Sequence, residues 1–512
     1  MNRLAGISRH LPSSSSPVLH TSVIRPSPLI LRTIASMPAS HYNALFIGSG
    51  QGANPLAKAF AKAGKKTAMV ERSSVGGTCV NVGCTPTKTM IASGRVAYLA
   101  KRGTDYGVKA SRIEINMERV RERKRAIVEQ WHSGSVRGLE AAGVDILMGD
   151  GSFIGEKTVK VALNDGGERV VTADTVFVSV GARASRPDTP GLDKVDKARV
   201  LDSTSIMELD AVPKHLVVIG GGYIGLEFGQ LFRRLGADVT IIQRAKQLVP
   251  REDPDIADCM LKILEGDGIA VHLSSTVQSV SASSADGGLP FNVNVQTPSG
   301  MLAIPGSHIL LAAGRVPNSD SMNLPAAGIK TASKGHIVVD DKLQTSAPGV
   351  YALGDVHSGP AFTHMSYDDF RIIRTNLLPG TMSATTPAMP TTLTSRSRVL
   401  TPYVMYTDPQ LGHIGLHARD LEGRKVKTAS MPMSYVARAS ETDEPRGMMK
   451  AAVDAETGEI LGFTCLGIEG GEVMSIMQTA MMGQLKWWDL EAAVWAHPTL
   501  AESLNNLWGY LE

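Results

Sequence analysis

The stretch GGTCVNVGCTPTK carries two cysteines, Cys79 and Cys84, with four residues between them. Only two other cysteines, Cys259 and Cys465, occur in the 512 residues, which is too few for a disulfide-stapled secreted scaffold. A closely spaced pair in a reducing compartment is expected to bind a metal or to carry out redox chemistry.

The residues around this pair favour redox chemistry. Pro86 suits the first turn of a helix that begins near Cys84, and a helix N-terminus lowers the pKa of a thiol. Lys88 adds a positive charge on the same helical face. A zinc site needs two further ligands at suitable spacing, and the nearby sequence offers no second Cys or His pair. An inert structural disulfide is the other alternative.

A glycine-rich loop precedes the cysteines, in the stretch NALFIGSGQGANPLAKAFAKAGKKTAMVE. Gly48, Gly50 and Ala53 follow the G-x-G-x-x-A spacing, and Glu71 ends the second apolar segment. This order predicts a βαβ unit whose turn lets a pyrophosphate approach the N-terminus of the helix. The carboxylate of Glu71 is expected to accept hydrogen bonds from a ribose.

The same unit recurs in HLVVIGGGYIGLEFGQLFRRLGADVTIIQR, where Gly220, Gly222 and Gly225 follow the G-x-G-x-x-G spacing. Two fingerprints predict two bound dinucleotides. After the second predicted strand, Gln243 and Arg244 stand where an acid is usual. Because a guanidinium binds a 2′-phosphate and a carboxylate repels it, NADPH is expected, with NADH as the alternative. Arg244 in a merely solvated loop is the competing interpretation.

The charge of the chain is concentrated at its beginning. Residues 1–40 contain four arginines, nine serines and no acid, and Glu71 is the first carboxylate. This composition predicts a mitochondrial transit peptide, or else a disordered leader, and a start at Met37 would give a cytoplasmic form. The rest of the chain is nearly neutral, which argues against a nucleic-acid partner. No apolar run is long enough for a membrane span.

Several stretches resemble the class I pyridine nucleotide-disulfide oxidoreductases, the flavoprotein disulfide reductases. Residues 76–88 resemble the redox-active disulfide motif, TSAPGVYALGDV the second FAD motif, ILLAAGRVPN the interdomain segment, and AHPTLAES the C-terminal acid–base motif. FTHMSYDDFRIIR and HPTLAESLNNLW look like the mercuric-reductase-like branch, which includes a bacterial reactive-chlorine-resistance Cu(II) reductase. The resemblance extends from residue 42 nearly to the C-terminus.

The resemblance implies that NADPH reduces bound FAD and that the flavin reduces a Cys79–Cys84 disulfide. Cys84 is then the thiol that contacts the flavin, and Cys79 exchanges with the acceptor, a metal ion such as Cu(II) or Hg(II) or a small disulfide. Activity like that of dihydrolipoamide dehydrogenase or glutathione reductase is an alternative. A flavin-binding redox sensor with little turnover is an alternative of another class. No resident metal site is expected.

The resemblance also assigns the supporting residues. Lys88 lies near the flavin and pairs with Glu227, while Tyr223 covers the flavin and moves aside for the nicotinamide. His497, held by Glu502, is the acid–base residue that reaches the disulfide of a partner subunit, which implies a homodimer. The expected cofactor contacts are Gly48, Gly50, Gly52, Ala53, Glu71, Gly77, Thr78, Lys88, Gly181, Gly220, Gly222, Tyr223, Gly225, Gln243, Arg244, Gly314, Arg315, Gly354 and Asp355.

The expected fold class is α/β, with two Rossmann-like FAD/NAD(P)-binding domains and a C-terminal α+β dimerisation domain. The FAD-binding domain is expected over residues 41–182 and 313–378, and the NAD(P)-binding domain over residues 183–312. Residues 379–400, rich in Pro, Ser and Thr, are expected to form a mobile linker. The dimerisation domain is expected over residues 401–512.

Overall fold

A computed structural model describes residues 40–283, 288–380, 392–398 and 400–512. The predicted leader lies outside these residues, apart from its last position, and so does most of the predicted linker. No helix in the described ranges combines the length and the apolar character needed to cross a membrane.

Strands alternate with helices in two parts of the described chain, residues 40–71 and 215–272, as the parallel sheets of an α/β protein require. The strands are β1 (Ser40–Ile47), β2 (Thr67–Glu71), β3 (Val144–Gly155), β4 (Thr158–Leu163), β5 (Glu168–Val178), β6 (Ala182–Ala184), β7 (Val200–Leu201), β8 (His215–Ile219), β9 (Asp238–Ile242), β10 (Ala270–His272), β11 (Thr276–Ala282), β12 (Phe291–Thr297), β13 (Gly300–Gly306), β14 (His308–Leu311), β15 (Arg315–Pro317), β16 (Val350–Ala352), β17 (Tyr403–Met405), β18 (Gln410–Gly415), β19 (Val426–Pro432), β20 (Met448–Asp454) and β21 (Ile460–Gly467). The α-helices are α1 (Ala53–Lys62), α2 (Gly77–Asn81), α3 (Cys84–Lys101), α4 (Met117–Glu140), α5 (Tyr223–Leu235), α6 (Pro254–Gly266), α7 (Thr363–Leu377), α8 (Ala437–Glu441), α9 (Gly470–Met482), α10 (Trp487–Glu491) and α11 (Ser503–Asn506).

The first sheet holds the first glycine turn. Its parallel strands follow the order β3-β2-β1-β5-β16. The strand β4 pairs antiparallel with the C-terminal half of β3 and the N-terminal half of β5. The strands β1, β2 and β5 bury apolar side chains on both faces, as parallel strands between helices do. Phe46 and Phe177 stack inside this core, with ring centroids 4.5 Å apart.

The second sheet repeats this arrangement around the second glycine turn. It is parallel, in the order β10-β9-β8-β14-β7, and the antiparallel strands β11, β12 and β13 form a separate sheet. The helix α5 ends at Gly236, whose positive φ of 116° suits a helix C-terminus. The strands of the two parallel sheets come from residues 40–178 with 350–352 and from residues 200–311. We propose that the two domains have the expected bounds, residues 41–182 with 313–378 and residues 183–312.

Both glycine turns approach the neighbouring strand so closely that a side chain does not fit. Gly48 has φ +93°, and a Cβ there would lie 2.4 Å from the carbonyl oxygen of Ser179, just after β5. Gly220 has φ +118°, and a Cβ there would lie 2.5 Å from the carbonyl oxygen of Ala312, just after β14. The two turns thus use glycine for the same two physical reasons, a left-handed backbone and close approach.

The C-terminal part is an antiparallel sheet with helices packed against it. The strand order is β17-β18-β21-β20-β19, and α9 packs on β18 and β21. This α+β unit confirms the expected fold of the third domain. The described end of the predicted linker is anchored, because Asn376 exchanges side-chain hydrogen bonds with the backbone of Leu393.

Candidate active site

One cavity of about 1060 Å³ collects residues from the first sheet, from the turn after β8 with the helix α5, and from β17. It is lined by both glycine turns, by the cysteine pair and by residues at the start of α7 and in β17. Many of the expected site residues line it: Gly48, Gly50, Glu71, Gly77, Thr78, Cys79, Cys84, Lys88, Gly181, Gly222, Tyr223, Glu227, Gly314, Arg315, Gly354 and Asp355. Residues more than 250 positions apart in the chain therefore face the same space.

The two cysteines differ in electrostatic environment. Cys84 is the first residue of α3 and Cys79 lies in α2, and both are free thiols. A hydrogen bond from the Cys79 thiol, a second from Thr363 and the charge of Lys88 lower the pKa of Cys84 to about 6. The hydrogen bond with Cys84 and burial raise the pKa of Cys79. In the reduced pair, Cys84 is therefore the thiolate at neutral pH and Cys79 keeps its proton.

Lys88 is held by a buried carboxylate. Its Nζ donates a hydrogen bond of 2.8 Å to Oε2 of Glu227, and Glu227 is 6% exposed. Oε1 of Glu227 accepts a hydrogen bond from the backbone N–H of Tyr406, also at 2.8 Å. Both oxygens of Glu227 thus have donors, and the ammonium group is fixed on the cavity wall.

Tyr223 is the first residue of α5 and follows the second glycine turn directly. Its ring stacks on Phe362, with centroids 5.9 Å apart, and on Tyr403, with centroids 6.4 Å apart. All three rings line the cavity. A ring in this position closes one end of the space between the two glycine turns.

His497 and Glu502 form a pair away from this cavity. Nδ1 of His497 donates to the carboxylate of Glu502 over 2.9 Å, which leaves Nε2 free to transfer a proton. The side chain of His497 is 66% exposed. Neither residue is among the described residues that line the cavity of the same chain.

Other expected cofactor residues lie beside the cavity and not on its wall. A Cβ at Gly52 would lie 2.4 Å from the carbonyl oxygen of Ser366, and one at Gly225 would lie 2.0 Å from that of Gly220. These glycines therefore allow close packing of the backbone. Ala53, Gly220, Gly225, Gln243 and Arg244 likewise do not line the cavity of this chain.

The residues at the two specificity positions support the glycine turns. Oε2 of Glu71 accepts hydrogen bonds from the backbone N–H and the hydroxyl of Ser49, at 3.1 and 2.6 Å, and Glu71 still lines the cavity. The side chain of Gln243 accepts a hydrogen bond from the N–H of Gly221 and donates one to the carbonyl of Gln247. Both of its polar groups therefore have partners within the protein. Arg244 is exposed. Gln243 is therefore engaged within the protein, whereas the side chain of Arg244 is accessible to a ligand.

Thr363 is a site residue that the sequence analysis did not identify. Its hydroxyl lies 3.3 Å from Sγ of Cys84 and donates to that sulfur when the thiol is ionised. Thr363 begins α7, within the FTHMSYDDFRIIR stretch that carries the family resemblance. The only sequence signal was that resemblance, because a threonine at the start of a helix has no chemical signature of its own.

Asp369, a second residue that was not identified, holds the loop before Asp355. Its Oδ2 accepts hydrogen bonds from the N–H of Gly354 at 2.7 Å and from Nε2 of His357 at 3.0 Å. Arg398 pairs with the other oxygen of Asp369. Burial alone would raise the pKa of Asp369, but the hydrogen bond from His357 and the charge of Arg398 lower it.

Replacing Arg398 by alanine is expected to loosen the loop at Gly354. Removing this hydrogen bond from the buried carboxylate of Asp369 should lower the free energy of unfolding by about 1.5–3 kcal/mol and speed the release of bound flavin. The matched control is Arg396→Ala, because Arg396 is 82% exposed and pairs only with the surface residue Asp341 among the described residues. Chemical denaturation and flavin fluorescence after dilution measure both effects. Equal behaviour of the two variants would contradict this role of Arg398.

The cavity suits a bound FAD. Gly181 and Gly314 line the cavity and have no atom within 4 Å of a built Cβ, so the backbone faces open space at both positions. The helix α1 carries no acid in its first turn and no side-chain cap, so no side chain of the helix competes with a phosphate for its N-terminus. Burial raises the pKa of Asp355, whose carboxylate shows no side-chain hydrogen bond in the described chain and is available to sugar-type hydroxyls.

The protein combines two parallel sheets, each with a glycine turn, and a cysteine pair in the cavity that both turns line. This combination defines a dinucleotide-dependent thiol oxidoreductase. The sequence profile described as pyridine nucleotide-disulphide oxidoreductase matches residues 42–369, and the profile of that family's dimerisation domain matches residues 401–507. The chain belongs to the pyridine nucleotide-disulphide oxidoreductase family and is an FAD-dependent enzyme of that family. This confirms the resemblance found in the sequence.

Several known proteins are similar over most of the chain. The mercuric reductase of Bacillus cereus is 34% identical over 468 residues, which cover 91% of this chain and 70% of that protein. RclA, a probable pyridine nucleotide-disulfide oxidoreductase of Escherichia coli K12, is 32% identical over 92% of this chain and 99% of its own. A mitochondrial dihydrolipoyl dehydrogenase of Arabidopsis thaliana is 30% identical over 96% of this chain and 94% of its own.

A solved structure is similar as well. The Cu(II) complex of the HOCl-induced flavoprotein disulfide reductase RclA from Escherichia coli superposes with a TM-score of 0.81 at 30% sequence identity. The match covers 92% of this chain and 99% of that chain. The fold is therefore shared over nearly the whole described chain.

Proposed function

We propose that this protein oxidises NADPH and reduces a metal ion or a small disulfide through the Cys79–Cys84 pair. The observation that carries this proposal is the single cavity in which both glycine turns meet the ionisable sulfur of Cys84 and the ammonium group of Lys88. Bound FAD supplies the two-electron carrier between the nicotinamide and the disulfide. The residues of the chain bind, orient and handle protons around it.

In the reductive half of the reaction, Lys88 provides a fixed positive charge on the cavity wall. Glu227 keeps the ammonium group in place through the 2.8 Å hydrogen bond. Tyr223 closes the nucleotide side and has to move before a nicotinamide enters. When the disulfide opens, the sulfur of Cys84 stays ionised because its pKa is about 6, and Cys79 takes the proton.

In the oxidative half, Cys79 exchanges with the acceptor. We propose that the chain forms a homodimer through its dimerisation domain, residues 401–507, and that His497 serves the disulfide of the partner subunit. Its Nε2 removes the proton from Cys79, since Nδ1 is committed to Glu502. The exposure of His497 and its absence from the cavity of its own chain support this arrangement.

The acceptor is tested by turnover with NADPH against Cu(II), Hg(II), oxidised glutathione, lipoamide and a quinone. Thiolates are soft ligands, which suits Hg(II) and the Cu(I) that reduction of Cu(II) forms, and relatives include mercuric reductases and a flavoprotein solved with Cu(II). Each assay is repeated with Cys79→Ser, which should lose turnover with every acceptor that uses the dithiol. Equal turnover of all acceptors by this variant would refute the proposed function.

Arg244 is proposed to select NADPH over NADH. The residue is exposed, and no hydrogen bond or ion pair to it is found in the described chain. Arg244→Ala should lower kcat/KM for NADPH about 10- to 100-fold, the worth of a charge-assisted hydrogen bond, and leave NADH unchanged within about twofold. Arg169→Ala, an exposed arginine on β5, is the control. A wild-type preference for NADH in steady-state kinetics would refute the proposal.

We also propose that residues 1–36 direct the protein to mitochondria, on the arginine- and serine-rich composition alone. A fluorescent fusion of the whole chain should accumulate in mitochondria, and a fusion starting at Met37 should not. The same distribution of both fusions would overturn this proposal.

A further inference from the structure

A buried cluster behind the cavity wall is not used by the mechanism above. Glu252, His413 and His417 place potential metal-ligand atoms within 4.8 Å of one another, and all three residues are buried. Oε2 of Glu252 has no hydrogen-bond partner in the described part of the chain, and Nδ1 of His417 lies 3.7 Å from Oδ1 of Asp253. Glu252 precedes α6, whereas the histidines lie on and just after β18, so two domains meet here.

The two histidines are not arranged to share a metal ion. Their rings stack in parallel, with centroids 3.8 Å apart and an interplanar angle of 2°, so their in-plane lone pairs do not converge. Both nitrogens of His413 are committed, Nδ1 to the hydroxyl of Thr464 at 2.8 Å and Nε2 to the carbonyl of Gly415 at 3.2 Å. Burial lowers the pKa of His413 to about 3, which keeps this ring neutral.

What the cluster holds is the hydroxyl of Tyr403, the first residue of β17. This hydroxyl donates a hydrogen bond of 2.5 Å to Oε1 of Glu252. Its oxygen lies 3.1 Å from Nε2 of His417 and accepts from that nitrogen. Glu252 is only 3% exposed, so the anchor is removed from competing water.

The ring of Tyr403 lines the cavity, so this side chain connects the cavity wall to Glu252 and His417. It stacks on Phe362 with an interplanar angle of 3° and a centroid distance of 5.6 Å. Phe362 stacks in turn on Tyr223, and all three rings line the cavity. Tyr403 also contacts Tyr223 directly, with ring centroids 6.4 Å apart, so the three rings form a triangular cluster. This cluster links the buried hydroxyl of Tyr403 to the ring beside the second glycine turn.

We propose that Tyr403, anchored on Glu252 and His417, is a positioning residue that sets how readily Tyr223 yields to the nicotinamide. The inference rests on the proposed function, in which the nucleotide enters beside Tyr223. An anchored Tyr403 resists displacement of Tyr223, because Tyr223 loses its contacts with both Tyr403 and Phe362 when it moves. The hydroxyl of Tyr403 therefore weakens the apparent affinity for the nucleotide without touching it.

The test is Tyr403→Phe in the FAD-loaded enzyme, which removes the hydroxyl and keeps the ring. Anaerobic stopped-flow reduction of the flavin is followed against NADPH concentration. The apparent Kd for NADPH should fall about three- to tenfold while the limiting rate changes less than about twofold, since one buried hydrogen bond of ordinary strength is lost. Tyr351→Phe is the control, because Tyr351 stacks on Phe177 and does not line the cavity.

A second variant guards against misfolding. Glu252→Gln weakens the same hydrogen bond and should shift the apparent Kd in the same direction by a smaller factor. The double variant should match Tyr403→Phe alone, because both changes act on one contact. In a Tyr223→Ala background, Tyr403→Phe should have no effect.

Three results would overturn the inference. The first is an unchanged apparent Kd in a Tyr403→Phe enzyme that melts like the wild type. The second is a full effect of Tyr403→Phe in the Tyr223→Ala background. The third is one Zn or Cu ion per subunit after desalting that is lost in His413→Gln, which would make the cluster a metal site. Wild-type flavin that neither NADPH nor NADH reduces would instead refute the proposed function, and the inference would fall with it.

Discussion

Cys84→Ser should lower NADPH-driven turnover of disulfide and metal-ion acceptors on the order of a thousandfold or more, because a serine hydroxyl cannot form or open the S–S bond. The flavin should still be reduced by NADPH, since both glycine turns and Lys88 are untouched. Cys259→Ser is the matched control, because Cys259 lies in α6 and does not line the cavity. The measurements are steady-state turnover and stopped-flow reduction of the flavin. Substantial turnover in Cys84→Ser would show that electrons bypass the pair.

The same sulfur should carry a distinct pH signature. In the reduced enzyme, alkylation of Cys84 by iodoacetamide should rise with pH around its pKa of about 6 and level off near neutrality. Cys79, whose pKa is raised, should react much more slowly over that range. Mass spectrometry of the alkylated peptides separates the two sites. Faster modification of Cys79 than of Cys84 at pH 6 would contradict the assignment of the lower pKa to Cys84.

His497→Gln should slow the oxidative half-reaction about a hundredfold, the usual worth of a general acid–base residue, without slowing reduction of the flavin. Glutamine retains a donor for Glu502 and removes the imidazole nitrogen that would transfer the proton. Rapid mixing of pre-reduced enzyme with acceptor measures the oxidative step directly. Slowing of both half-reactions by the same factor would indicate a structural defect and not lost proton transfer.

Mixed dimers decide whether His497 serves the partner's disulfide. A dimer of one Cys84→Ser subunit and one His497→Gln subunit contains one complete site if the histidine acts across the interface, and none if it acts within its own chain. Differently tagged subunits allow the mixed dimer to be purified. Activity near half that of the wild type is expected. Activity at the level of the single variants would contradict the proposed dimer site.

Local spacing was enough to predict the parts of the site that are built within one turn or one helix. The G-x-G spacing at Gly48 and at Gly220 identified backbone positions with positive φ and no room for a Cβ. The Cys84 helix was expected from Pro86 and begins at Cys84 itself. The link between His497 and Glu502 followed from the family motif and is present at 2.9 Å.

Contacts between distant parts of the chain could not be predicted in this way. The hydroxyl of Thr363 contacts the sulfur of Cys84, which lies 279 positions away in the chain. Neither residue type predicts this contact. The same holds for the 151 positions between Glu252 and Tyr403. Gln243 shows a different limit, since its place after β9 was evident but its internal hydrogen bonds to the turn were not. Such pairings depend on tertiary packing.

Anaerobic reductive titration with dithionite, with thiols counted before and after, tests most directly whether flavin and sulfur share electrons. The account predicts that the wild-type enzyme accepts two electrons for the flavin and two for the disulfide, and that two new thiols appear per subunit. Cys79→Ser should accept only the flavin's two electrons. Uptake of two electrons by the oxidised wild type, with no new thiols, would contradict the account.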